Sequence, residues 1–149
     1  MLNVSYQYGT NDITAHQLRH LHVGWPNPPA PETFLESLRN MNAVVLAIDA
    51  QTDDVVGFVC GMTDGVLMLY VWDLEVLPDF HDNGIEEALL QELLGRYGDI
   101  YTVNANPHPG TQPYFEQAGF QVLRSDQCHA MTRMNMAWQD GGPRAVLSG

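Results

Sequence analysis

Asp73-Leu74-Glu75-Val76-Leu77-Pro78-Asp79-Phe80-His81-Asp82-Asn83-Gly84-Ile85-Glu86-Glu87-Ala88-Leu89-Leu90 carries the chain from the end of a strand into a helix. Its first residues close a long strand-like run, Val66 to Val76. Pro78 ends that run, because proline offers no amide hydrogen to a ladder. His81 to Glu86 reads as a loop. A helix from about Gly84 to Tyr97 follows, with Ile85, Ala88, Leu89 and Leu93 on one stripe and Leu90, Leu94 and Tyr97 widening it. Gly98-Asp99 stops it.

Upstream lie two more strands. Ala43 to Asp49 is nearly all apolar, as a strand covered on both faces should be. Gln51 to Asp54 is a hairpin turn, and Val55 to Met62 is the partner. Before these, Val4 to Tyr8 alternates as a first strand. Thr10-Asn11-Asp12 offers cap chemistry for a helix from about Ile13 to Val23. The proline-rich stretch Trp25 to Pro31 breaks that helix, and Pro31-Glu32 opens a second one. Downstream, Ile100 to Ala105 reads as a strand and Thr111 to Ala118 as a short helix closed by Gly119. Phe120 to Arg124 and Ala130 to Trp138 read as closing strands. The order β-α-α-β-β-β-α-β-α-β-β implies an α/β (α+β) domain over residues 1–138, with a mixed sheet and helices on both faces. Residues 139–149 read as a C-terminal tail.

The chain has 149 residues, room for one domain with a core. It carries six Lys+Arg against 18 Asp+Glu, a formal charge of −12, and every one of the six is arginine. Such a field repels phosphate backbones, so nucleic acid is excluded as a partner. It slows an anionic cofactor unless local donors offset it, and it draws in cations. Solubility accounts for the same charge equally well. No run reaches the ~18–20 apolar residues a membrane span needs, and no signal-peptide pattern opens the chain, so the expected location is cytoplasmic. Cys60 and Cys128 make no metal or redox pair. His16 and His20 stand four apart, but no third ligand is evident, so they read as a surface pair and no metal is expected.

Three runs, in this order and spacing, resemble the GNAT superfamily of N-acetyltransferases. Asp73 to Phe80 is similar to that family's D-L-x-V-x-P-x-Y strand exit. His81 to Glu86 stands where the family has its Q/R-x-x-G-x-G/A pyrophosphate loop. Tyr114-Phe115-Glu116-Gln117-Ala118-Gly119-Phe120 is similar to F-Y-E-K-x-G-F. The resemblance covers about Val4 to Trp138 and implies the acyl-CoA N-acyltransferase fold. It also implies acetyl-CoA as co-substrate, a small-molecule or peptide amine as acceptor, and direct transfer in a ternary complex.

The resemblance further implies that the strand ending at Val76 splays from Ile100–Ala105, leaving backbone at Leu74, Glu75 and Val76 to pair with the pantetheine arm and polarise the thioester carbonyl. Asn104 would contribute from the neighbouring strand, and Phe115 falls at a cofactor position. The pyrophosphate would sit on His81, Asp82, Asn83, Gly84, Ile85 and Glu86, where free amide hydrogens meet the positive end of the helix dipole. Two carboxylates, Asp82 and Glu86, depart from the family pattern there. At an effective dielectric of ~20, like charges ~4 Å apart cost on the order of 4 kcal/mol, so Glu86→Gly is expected to tighten CoA binding. A protonated His81 would partly offset this.

Acid–base chemistry is the weakest match. The family's base positions hold Tyr70 and Trp72, while Asp73 and Glu75 have the opposite strand parity unless a bulge intervenes. The family's acid position is Phe115, with Tyr114 one step earlier, about 100° around a helix. Tyr114, Asp73 and Tyr70 are the catalytic candidates. Trp25 and Trp72 are candidates for an aromatic acceptor wall, since aromatic faces attract cations. The rival readings are a catalytically degenerate GNAT-fold protein serving as a ligand-binding or interaction module, and a partner in an oligomer such as a homodimer.

Overall fold

The computed structural model describes residues 2–124, 126 and 130–132. Five strands form one sheet in sequence order: β1 (Val4–Tyr8), β2 (Ala43–Asp49), β3 (Val55–Thr63), β4 (Met68–Val76) and β5 (Thr102–Ala105). The first three pairings are antiparallel and β4–β5 is parallel. Three helices complete the described part: α1 (Pro31–Asn40), α2 (Ile85–Arg96) and α3 (Gln112–Gln117). The mixed sheet and the element order over these residues agree with the fold class expected from the sequence.

The central strands bury both faces. On one side Val45, Ala47, Val56, Val59, Leu69, Val71, Leu74 and Val76 pack against Ile85, Leu89, Leu90 and Leu93 of α2 and Phe115 of α3. On the other, Val44, Leu46, Phe58 and Cys60 pack against Phe34, Leu35 and Leu38 of α1. Every residue of β2 is buried, which explains why its sequence shows no alternation. Pro31 at the first position of α1 supplies a preset φ where no amide donor is needed.

Two expectations change. The helix read over Ile13–Val23 is a single 3-10 turn, Ala15–Leu18, followed by irregular chain. Ile13, Leu18 and Leu21 are still buried, so the apolar spacing was real, but His22 at φ 65 and Gly24 at φ 82 turn the backbone out of any helix. Residues Phe120 to Arg124 form no strand. Gly119, at φ 97, turns the chain so that the Phe120 amide bonds the Phe115 carbonyl, and the two rings meet edge to face at 5.1 Å. Of the segment read as Ala130–Trp138, residues 130–132 are not in a strand. The remainder, and the tail from 139, lie outside the described residues.

Candidate active site

A one-residue bulge in β4 organises the site. Cys60 pairs with Asp73 and Gly61 with Val71, so Trp72 is the extra residue. Gly61 permits it, because a Cβ there would collide with the Tyr70 carbonyl oxygen. The bulge inverts the side-chain parity. Leu69 and Val71 before it, and Leu74 and Val76 after it, all point into the core beneath α2. Asp73 and Glu75 are thereby turned to the opposite face, towards the chain that precedes α1.

Beyond the bulge the sheet opens. The β4–β5 ladder ends at Val71–Ala105, while β4 runs on to Val76. The chain after Ala105 continues through Pro107, His108, Pro109 and Gly110, and its prolines cannot extend the ladder. A cleft of about 290 Å³ occupies the gap. It is lined by Asp73, Leu74, Glu75 and Val76 of β4, Pro78, His81 and Glu86 at the start of α2, Val23 and Trp25, and His108, Gly110, Thr111 and Tyr114.

Glu75 ties two parts of the cleft together. Its Oε1 accepts hydrogen bonds from the amides of His22 (2.6 Å) and Val23 (3.2 Å), and its Oε2 is buried without a partner among the described residues. Burial pushes its carboxyl above the usual range, against the pull of those amides and of His108. Burial also raises Asp73, opposed by the Leu74 amide and by His108. Asp73 Oδ1 accepts from that amide at 2.9 Å, so the Leu74 donor expected to face a thioester is held by its neighbour's carboxylate. His22 itself is buried against Trp25 (4.8 Å), Phe34 (4.4 Å) and Phe58 (5.9 Å), and its imidazole is pushed down by that burial.

At the start of α2, Gly84 takes φ 73 and, among the described residues, no side chain caps the helix. Asn83 donates to the carbonyls of Phe80 and His81 (3.1 and 2.8 Å) rather than to the helix. His81 Nε2 lies 2.7 Å from the Val76 carbonyl and 3.9 Å from Glu86 Oε1. The uncapped amides and the glycine cradle fit an anion; the buried Glu86 carboxylate does not by itself.

Trp25 lines the cleft, and exposed Trp72 meets it edge to face at 6.4 Å. Tyr114 lines the cleft, while Phe115 is buried in the core beside it. Tyr114 is pushed up by burial and by the charges of Glu86, Glu87 and Asp82, which keeps its hydroxyl protonated. Tyr70 does not border the cleft; its hydroxyl accepts from Asn106 at 3.1 Å. Asn104 is exposed opposite Tyr70 on β5, and Asp82, Asn83, Gly84 and the buried Ile85 lie beside the cleft rather than on its wall. His16 and His20 do not share a helix, and His20 lies 3.9 Å from Asp54, to which Arg19 is also paired. Among the described residues no group of three side chains could hold a metal ion, and no helix is long and apolar enough to cross a membrane. The sequence reading did not assign His108, Val23, Gly110 or Thr111 to the site. They sit in irregular chain, where no periodicity marks them; the Pro-His-Pro run was the one visible sign.

A mixed sheet whose parallel pair opens over the start of a helix defines the acyl-CoA N-acyltransferase class of folds. The family model described as "Acetyltransferase (GNAT) domain" matches residues 12–138, and the chain belongs to this family, whose members use acetyl-CoA as co-substrate. It is similar to a candidate acetyltransferase from Deinococcus radiodurans R1 (29% identity, TM-score 0.80, 93% of this chain and 92% of that one). It is also similar to ycf52, an uncharacterised N-acetyltransferase of Pyropia yezoensis (23% identity over 121 residues, 77% of this chain and 69% of that one). The fold is shared with the diaminobutyrate acetyltransferase EctA of Paenibacillus lautus, solved with L-2,4-diaminobutyric acid and coenzyme A (18% identity, TM-score 0.59, 79% of this chain and 75% of that one).

Proposed function

We propose that this protein transfers the acetyl group of acetyl-CoA to a primary amine by direct attack in a ternary complex. The observation that carries the reading is the gap beyond Val71–Ala105, where β4 backbone, Glu75 and Tyr114 border one cleft. The pantetheine arm would lie along Glu75 and Val76, with the pyrophosphate over the uncapped start of α2. The acceptor would enter beside Trp25 and Trp72, whose faces suit an ammonium group.

The bulge supports Asp73 and Glu75 as acid–base groups by turning them to the acceptor side. Burial holds both carboxyls above their ordinary range, which suits a base that takes the ammonium proton, directly or through water. The free amine then forms the C–N bond to the acetyl carbon as the C–S bond breaks, the Tyr114 hydroxyl protonates the departing thiolate, and the second proton that the nitrogen loses as the amide forms returns to Tyr114 through water. Transfer is thus balanced without a covalent enzyme intermediate. EctA, which shares the fold, was solved with coenzyme A, and this supports a CoA site in the same place here.

A free-thiol assay with acetyl-CoA across a panel of amines tests the reading. Thiol release that depends on one class of amine, with the acetylated amine found by mass spectrometry, is expected. CoA binding without thiol release for any amine would favour the ligand-binding module, to which Glu86 and Phe115 lend weight. Absence of CoA binding would end both readings.

A further inference from the structure

One face of the sheet is left partly uncovered, and it leads out of the cleft. On the side of α1 the buried core ends at Cys60 of β3. Further along that face Met62 is 55% exposed, opposite Tyr70 of β4. Met68 and Trp72, on either side of Tyr70 along β4, are 39% and 41% exposed. Leu69, Val71 and Val103 point the other way, into the core beneath α2. Alternation therefore puts Met68 and Tyr70 on the uncovered face, with Asn104 of β5 beside Tyr70. A row of large apolar side chains left in water on one face marks a contact surface.

The row is continuous with the cleft, because Trp72 meets Trp25 of the cleft wall at 6.4 Å. Its cleft end is acidic. Asp73 follows Trp72, and the buried Oε2 of Glu75 has no hydrogen-bond partner among the described residues, so an ammonium group there would satisfy it. From Asp73 back to Met68 the strand covers about 15 Å at its usual rise per residue, too long for a small amine to fill. Beside the apolar row lie amides. Asn104 is exposed, and the Asn106 side chain donates to the Tyr70 hydroxyl at 3.1 Å, which leaves that hydroxyl its own hydrogen to give. Apolar side chains next to amide and hydroxyl groups suit a peptide, whose main chain needs partners where its side chains are buried.

We propose that the acceptor is the α-amino group of an extended peptide with apolar residues after its first, the main chain running back from Asp73 along Trp72, Tyr70 and Met68. The proposal rests on the transferase reading of the cleft and specifies its acceptor. Direction favours an amino terminus over a lysine side chain. Past Asp73 the strand is given to the pantetheine arm, so chain can leave the amine on one side only, whereas a lysine carries chain on both. The formal charge of −12 draws in the same cationic end.

Thiol release from acetyl-CoA tests this on a pentapeptide with a free α-amine and leucine, phenylalanine and valine at its middle positions. Beside it stand the same peptide with serines there, an amino-terminally blocked form with an internal lysine, leucinamide and a panel of small amines. Burial of one apolar side chain is worth about tenfold or more. The apolar pentapeptide should therefore exceed the serine peptide and leucinamide in kcat/KM by about that factor, with the acetyl group on its α-nitrogen by mass spectrometry. Met68→Glu, at an exposed position, should raise KM for the apolar pentapeptide by about tenfold with kcat and melting temperature little changed. Equal turnover of leucinamide or the serine peptide, preference for the lysine, turnover of small amines but of no peptide, or an unchanged KM in Met68→Glu would overturn the proposal and leave the transferase standing. No thiol release with any amine would remove the transferase reading as well.

Discussion

Tyr114 and Phe115 are neighbours on α3 with opposite duties. Tyr114 borders the cleft; Phe115 is 3% exposed and packs against Phe120. The sequence reading placed both at the site, Tyr114 as a catalytic candidate and Phe115 at a cofactor position; one residue on a short helix decides the direction, and the motif alone does not fix it. Tyr114→Phe should lower kcat by about 10²-fold, a typical loss for a general acid, with CoA affinity unchanged in calorimetry. An unchanged kcat would show that the thiolate leaves unaided. Glu75 supplies a pH test. Burial raises its folded-state value above 4.5, so the folded chain keeps the proton to higher pH than the unfolded one. That stabilising contribution is full below about pH 4.5 and lost as pH rises through the folded value. Glu75→Gln should flatten the decline of Tm with pH in that window, with Asp73, also raised, leaving a residue of it. A slope identical to wild type would mean that Glu75 is solvated.

The elements were legible where periodicity and punctuation agreed. α2 was placed by its stripe and by Gly84 and Gly98; β2 and β3 by their apolar runs and the Asp-rich turn. The region before α1 was not, because three buried apolar residues at near-helical spacing serve a turn as well as a helix. What the pattern could not reveal was the Trp72 bulge. Parity along β4 breaks within a single residue, and the cause is on another strand, at Gly61. Gly61→Ala should force β4 to shift, costing about 3 kcal/mol, at the upper end of overpacking, seen as a lower urea midpoint. Because the bulge aims Asp73 and Glu75, kcat should fall in the surviving folded fraction. A variant with wild-type stability would mean that the bulge is not held by close approach at Gly61.

At the scale of the whole molecule, charge sets the terms. With a net charge of −12, the protein repels an anionic cofactor, and salt should screen that repulsion. CoA affinity is expected to improve by about two- to fivefold as NaCl rises from roughly 20 to 200 mM, over which the Debye length shrinks from beyond 20 Å to below 10 Å. Weakening with salt would instead indicate a dominant attractive patch. The two apolar cores on either face of the sheet hold β4 in place, and the cleft opens where its pairing with β5 ends. A crystal structure with CoA tests the central claim most directly: the pantetheine arm should run through the gap past Val71 and Ala105, with the pyrophosphate over Gly84–Glu86. CoA seated elsewhere on the protein, with that gap filled by side chains, would contradict it.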